Sequence, residues 1–341
     1  MITQQSPPTD SPHATGAAVA AAPLRRLNAA RLREFALSHA MVLVMLLVVM
    51  YFSYRSARFG TLDNFQTITT AAAPFALIAV GQTLVILTGG IDLSVGSVIA
   101  VSAMASASTV AGHPDRLWTA LLVGLVTGLV AGSINGALVA WLNVPPFVAT
   151  LGMLTAASGM AYVIGDGAPI NGLPANFNQI AGTRILGLQL PVVVMIVGIV
   201  VLAVVMRYTA YGMRVYAVGG NRVAAELAGI KAHRVLFSVY ALSGLLAGLS
   251  GVMLASRVLS GPPTLGSGYE LDAIAAVVIG GASLMGGRGT IWGTVLGLFL
   301  MQTLNNGLDI LVVPAYWQKV IKGVLIVAAV TVDVWANSRR R

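Results

Sequence analysis

Cysteine is absent from the 341-residue chain, which excludes disulfides, thiol nucleophiles and thiolate metal sites and leaves the redox compartment unread. Charge is scarce as well: Asp, Glu, Lys and Arg make up 9% of the residues, against about 25% in soluble domains. The four histidines, His13, His39, His113 and His233, lie in the N-terminal tail or near the ends of apolar runs. No His-Glu-x-x-His occurs among them, so an intramembrane metalloprotease is disfavoured. No Ser/His pair stands out within the apolar segments. There is no Gly-x-x-x-x-Gly-Lys-[Ser/Thr] loop, so the chain has no ATP-phosphate cradle of its own. Nor is there a buried acid–base series of the kind proton relays use. No catalytic residue, metal ligand or cofactor is expected in this chain, and any uphill movement of solute draws its energy from a partner.

What is present is apolar. Hydrophobic residues make up 57% of the chain, arranged in runs of about 18–22, each long enough to cross a bilayer as a helix. The fold class is an all-α polytopic membrane protein. Ten spans fit, near 37–54, 67–88, 93–111, 117–141, 146–165, 191–206, 235–256, 270–286, 289–310 and 318–336. Residues 1–23, rich in Pro, Ser, Thr and Ala, read as a disordered tail. Arg25, Arg26, Arg31 and Arg33 then lead into the first run, which reads as a retained signal anchor and not a cleaved signal peptide. The domains are therefore a cytoplasmic tail and basic lead-in at 1–36, a transmembrane domain at 37–336 and a basic tail at 337–341.

The net charge of +9 acts as a topology signal. Nucleic acid is not an expected partner, because the basic residues sit in short loops and at the termini. The stretch 207–234 sets Arg207, Arg214, Arg222, Lys231 and Arg234 against one acid, Glu226, between long apolar blocks. With an inside N-terminus, thirteen Lys/Arg fall inside, including this stretch, Arg288, Arg339, Arg340 and Arg341. Seven fall outside or at outer helix ends: Arg55, Arg58, Arg116, Arg184, Arg257, Lys319 and Lys322. The positive-inside rule thus places both termini in the cytoplasm. Residues 166–190 read as a polar external loop. Gly89-Gly90 interrupts a long apolar stretch, marking either a tight turn between two helices or a broken helix lining a pathway.

The halves share a pattern: Asp92-Leu93 with Val98-Ile99 matches Asp272-Ala273 with Val278-Ile279 at an offset of 180 residues. Asn135-Gly136 before Val144-Pro145 likewise matches Asn306-Gly307 before Val313-Pro314. In the ten-span topology this implies an inverted repeat. Gly124, Gly128, Gly132 and Gly136 share one helix face, as do Gly289, Gly293 and Gly297, for packing within the chain or for a dimer seam. Gln82, Thr83, Asn135, Gln302, Asn305 and Asn306 fall inside spans. They serve either interhelical hydrogen bonding or a weakly polar path for a polyhydroxylated solute. Asp92, in Gly-Gly-Ile-Asp-Leu-Ser, can cap the helix that follows, act with Ser94 as a gate, or do both. Glu270 and Asp272 stand at an outer helix start, as caps or as contacts for an external partner.

GGIDLSVGSVIAVSAM at 89–104, GGNRVAAELAGIKAHRV at 219–235, SGLLAGLSGVMLASRV at 243–258, GYELDAIAAVVIGGASLMGGRGTIWGT at 268–294 and NNGLDIL at 305–311 resemble the permease subunits of bacterial monosaccharide ABC importers, the ribose, xylose, arabinose and galactose type. The resemblance covers about residues 37–336. It implies a type II importer fold in the bacterial inner membrane, with a second permease copy as homodimer partner. It also implies an ABC ATPase subunit that binds ATP and magnesium, a periplasmic sugar-binding protein, and membrane lipid around the spans. A coupling helix is implied within 219–230. The residues agree: Asn221 can cap it, Arg222 to Ala228 form helix and Gly229 stops it. Ala224, Ala225 and Ala228 are expected to offer a small-residue contact face, with Arg222 and Glu226 beside them. The function implied is the permease subunit of an ATP-driven sugar importer. The alternatives are a permease for a nucleoside, an autoinducer-type sugar or a branched-chain amino acid, or a stand-alone facilitator.

Overall fold

The structure, a computed structural model, describes residues 40–338. Arg25, Arg26, Arg31 and Arg33, like Arg339, Arg340 and Arg341, lie outside the described residues. The described residues from Met41 onward form one unit, to which everything below refers. Its helices are α1 Ala40–Arg55, α2 Leu62–Leu87, α3 Val95–Val110, α4 Leu117–Ala140, α5 Pro146–Ile164, α6 Gln179–Gly182, α7 Leu190–Tyr208, α8 Ala210–Gly220, α9 Arg222–Leu227, α10 Ala232–Val258, α11 Tyr269–Ile279, α12 Ile291–Ile310 and α13 Ala315–Ser338. A helix overlies each apolar stretch marked in the sequence. Five of these helical stretches, Leu62–Leu87, Pro114–Ala140, Pro146–Ile164, Leu190–Tyr208 and Ala232–Val258, are long and apolar enough to cross a membrane.

Two expected spans are shorter than they read. Helix α3 has 16 residues and α11 has 11, about 24 and 17 Å at 1.5 Å per residue, against about 30 Å of hydrocarbon. Glycine sets the limit of α11. It ends at Ile279 because Gly281 takes φ +86°, with Gly281 N–H bonding Val278 O and Ala282 N–H bonding Val277 O at 2.9 and 3.1 Å, a Schellman stop. The loop at 166–190, expected to be external, holds more structure than its composition suggests. Arg184–Ile185 (β1) pairs antiparallel with Leu188–Gln189 (β2), across a turn with positive φ at Leu186 and Gly187, as a two-residue hairpin requires.

Helix α2 lies at the centre. Every residue from Ala72 to Leu87 is buried, as befits a helix apolar on all sides, and it packs against α7, α10, α11 and α12. Ser250 Oγ of α10 donates to Pro74 O at 2.9 Å, and the Thr83 and Thr294 hydroxyls meet at 2.7 Å, so polar side chains fix α2 against both neighbours. The α4 glycines answer the choice between packing and a dimer seam. A Cβ on Gly128 would lie 2.6 Å from Gly248 Cα, and one on Gly132 2.8 Å from Gly244 Cα. The stripe is therefore an α4–α10 seam within the chain, where backbones approach too closely for any side chain. Gly297 similarly packs against Ala276 and Gly280 of α11 and its stop. Helices α4, α5 and α7 turn Trp118, Leu122, Val126, Phe147, Val148, Ile196 and Val197 outward, an apolar exterior suited to lipid.

Candidate functional site

The segment between α2 and α3 is held by side chains from four helices. Helix α2 stops at a Schellman turn: Gly89 takes φ +80°, and Gly89 and Gly90 N–H bond Ile86 O and Val85 O at 2.9 and 3.1 Å. The chain then runs without regular structure from Ile91 to Leu93, and Ser94 already takes helical φ and ψ, −83° and −12°. Non-helical backbone at membrane depth needs internal partners for its polar groups, and here it has them. Asp92, 1% exposed, takes Ser94 N–H at 2.9 Å and Ser94 Oγ at 2.6 Å on Oδ1. Ser243 Oγ of α10 reaches Oδ2 at 3.4 Å, and Asn135 Nδ2 of α4 donates to Ser94 Oγ at 2.8 Å. With its amide assigned by hydrogen bonding, Gln82 of α2 donates to Asp92 O and accepts from Asp92 N–H, both at 3.1 Å. Thr150 Oγ1 of α5 donates to Ile91 O at 3.2 Å.

Four expected path residues, Gln82, Asp92, Ser94 and Asn135, thus meet in one network, all buried. Together they hold the segment. Asp92 does not cap α3 directly: the residue preceding α3 is Ser94, whose side chain makes no cap bond, and Asp92 Oδ1 takes the N–H of Ser94 itself. Gln302, Asn305 and Asn306 lie elsewhere. Asn306 forms a reciprocal amide pair with Asn64 at the start of α2, at 3.0 and 2.9 Å. Gln302 is buried in α12, and Asn305 Oδ1 is buried without a partner. Residue type does not flag Ser243, Thr150 or Tyr240, since hydroxyls in apolar helices usually bond their own backbone. The unpartnered Tyr240 hydroxyl faces Gly90, and Tyr240 borders a cavity of about 190 Å³ with Thr88, Asn143 and Arg222.

Arg222 opens α9. Asn221 Oδ1 accepts Ala224 N–H at 3.0 Å, and the helix closes at Gly229, φ +84°. There Gly229 N–H bonds Glu226 O and Ile230 N–H bonds Ala225 O, at 2.9 and 3.0 Å, a third Schellman stop, of the same pattern as those of α2 and α11. Six residues make a rod of about 9 Å. Its free face differs from the expected one. Ala225 is 5% exposed because it packs into the chain's own core, so it is unavailable to a partner. Ala224 and Ala228 are exposed, and the large apolar surface comes from Val223 and Leu227, 67% and 86% exposed. Arg222 Nε pairs with Glu226 Oε1 at 3.0 Å, a surface pair worth little, and Arg222 Nη2 reaches Asn143 Oδ1 of the α4–α5 turn at 3.4 Å.

Behind α9 lies a junction of glycines. Gly219 packs on Leu87 O, Gly287 N–H bonds that same carbonyl at 2.9 Å, and a Cβ on Gly286 would fall 2.9 Å from Gly89 N. A Cβ on Gly287 would meet Gly220 Cα at 2.9 Å. Three backbone segments, the ends of α2 and α8 and the 283–288 loop, therefore touch without side chains between them. Tyr216 OH donates to Gly289 O and Tyr211 OH bonds Ser238 Oγ, each at 2.9 Å. Burial raises both phenol pKa values above the ordinary range, so both stay protonated. This part of the basic island is packed, with Gly212, Val215 and Val218 buried.

At the start of α11, where Tyr269 packs on Phe75 of α2, stand the two acids expected as caps or as contacts for an external partner. Asp272 Oδ2 pairs with Lys322 Nζ at 2.8 Å, tying α11 to α13. Glu270 is half-buried against Gly96. No group of three His, Cys, Asp or Glu residues that could hold a metal occurs among the described residues.

Residues 64–330 match the family described as "Branched-chain amino acid transport system / permease component". The chain is 46% identical over 272 residues, 79% of its length and 84% of the relative's, to the ribose import permease protein RbsC of Bacillus subtilis. It is 41% identical over 298 residues, 86% and 92% of the two chains, to the ribose import permease protein RbsC of Escherichia coli. It is 35% identical over 288 residues, 84% and 88%, to the D-allose transport system permease protein AlsC of E. coli. No solved structure matches the chain. With more than half its length matched by the family and this identity to relatives covered almost end to end, the chain belongs to the permease components of this transport family.

Proposed function

We propose that the chain is the membrane permease subunit of an ATP-driven monosaccharide importer and couples to its ATPase through α9. The observation that carries the coupling role is α9 itself: capped at both ends, with Val223 and Leu227 exposed, in a chain lacking any phosphate-binding loop. A rigid knob of about 9 Å with an apolar face suits insertion into a cleft of another protein. Movement of α9 reaches Leu87–Gly89 through the glycine junction, and from there the buried segment of Asp92, which acts as the hinge of a gate. Sugar as the solute class follows the names of the relatives. The complex is built from two copies of the chain, two ATPase subunits that bind ATP and magnesium, and an external sugar-binding protein. The chain crosses the inner membrane ten times with both termini in the cytoplasm, α3 and α11 serving as short spans, and its halves are related as inverted repeats.

Reconstitution in liposomes with the ATPase and binding protein tests this. Ribose uptake should require both partners and ATP. Leu227→Glu, which leaves the buried face of α9 untouched, should release the ATPase in co-purification and lower uptake more than about tenfold, as loss of a buried apolar contact predicts. Uptake by the chain alone would make it a facilitator. Leucine accumulation without ribose accumulation would transfer the reading to amino acids.

A further inference from the structure

A second cavity, about 300 Å³, opens at the end of the chain remote from α9. It lies between the first turns of α2, the β1–β2 hairpin, the start of α7 and the end of α10. Asp63, Gln66, Arg184, Gln189 and Arg257 converge on it, with Phe65 at its wall. None of these five polar side chains makes a hydrogen bond or ion pair with another described residue. Phe65 is 61% exposed. Five planar polar side chains with unused hydrogen-bonding capacity, of both charge signs and beside a free aromatic ring, are more than solubility requires.

We propose that this cavity is an entry subsite for a neutral polyhydroxylated solute, a single monosaccharide ring; the proposal rests on the sugar-import reading above. Each sugar hydroxyl both donates and accepts, so a complementary site needs donors and acceptors together. Arg184 and Arg257 supply the donors, Asp63 the acceptor, and the two glutamine amides both. Phe65 offers an apolar face to the C–H side of a pyranose or furanose ring. The volume sits at the lower bound of small-molecule pockets, about 300–1,000 Å³, which suits one ring and not an oligosaccharide.

Saturation-transfer NMR on the purified full chain in detergent, without partners, tests the subsite with ribose as probe and leucine as control. Ribose should show contact and leucine none, and Arg257→Gln and Asp63→Asn should each weaken the ribose signal about tenfold, as loss of a charged hydrogen bond predicts. In the assembled complex the same variants should raise the half-saturating level of sugar-loaded binding protein for uptake, while the affinity of the binding protein for the permease holds. Ribose contact unchanged in both variants overturns the proposal. So does a loss of binding-protein affinity with ribose contact intact, which would make the surface a docking face. A wild-type complex that imports no monosaccharide removes the parent reading and this one together, whereas import with unaltered variants removes the subsite alone.

Discussion

At the scale of single residues, Asp92 shows how one acid holds non-helical backbone inside an apolar protein. Its Oδ1 satisfies a backbone N–H and a hydroxyl that no helix bond can serve, and leaving such groups buried and unpaired costs about 1–3 kcal/mol. Asp92→Ala should therefore destabilise the protein by about that amount, read as a lower thermal denaturation midpoint in detergent by tryptophan fluorescence. Asp92→Asn keeps the acceptor oxygen and should cost less than half as much. Equal losses would mean that the charge, and not the acceptor, holds the segment. Asp92, Ser94, Gln82 and Asn135 were all legible as polar residues in apolar runs. Their meeting was not, because it depends on α2, α4 and α10 crossing at one depth, which no local pattern encodes. Ala225 illustrates the reverse: small residues on a short helix read as a contact face, yet which side of a six-residue helix turns inward is decided by the core beneath it.

At the scale of elements, glycine does most of the positioning, in two distinct ways. Gly89, Gly229 and Gly281 end helices through positive φ; in the sequence the first stood out as an interruption of an apolar stretch and the second as a helix stop. The short length of α11 still escaped notice, because the apolar run continues past Gly280 to Leu284 and Met285. The α4 glycines act by absence of a side chain. Their four-residue spacing was plain in the sequence, but the partner, α10, was not. Opposite outcomes separate the seam from an ordinary helix face. Gly128→Ala drives a methyl to within 2.6 Å of Gly248 Cα, where neither backbone can yield, and should destabilise by about 1–3 kcal/mol. Gly152→Ala on α5 meets nothing within 4 Å, so only the gain in helix propensity acts, up to about 1 kcal/mol, and the denaturation midpoint should hold or rise. A fall in both variants would show that α5 is covered in the assembled protein.

At the scale of the whole chain, the two candidate sites lie at opposite ends of α2, whose 26 residues make a rod of about 39 Å. Its buried second half ends on the glycine junction behind α9, and its exposed first turns line the polar cavity. This arrangement requires Leu227 of α9 and Leu186 of the β1–β2 hairpin to face opposite sides of the membrane, with α9 on the side where positive charge accumulates. The chain suits a direct test because it contains no cysteine, so single substitutions need no background removed. Leu186 and Leu227 are 98% and 86% exposed, and neither side chain takes part in a hydrogen bond or core contact, so both replacements should fold. In spheroplasts, a membrane-impermeant maleimide should label Leu186→Cys at once and Leu227→Cys only after the membrane is opened. Co-expression of the ATPase should slow labelling of Leu227→Cys in opened membranes and leave Leu186→Cys unaffected. The reversed pattern would invert the orientation. Labelling of both from one side would break the odd number of crossings between the hairpin and α9, and with it the ten-span count.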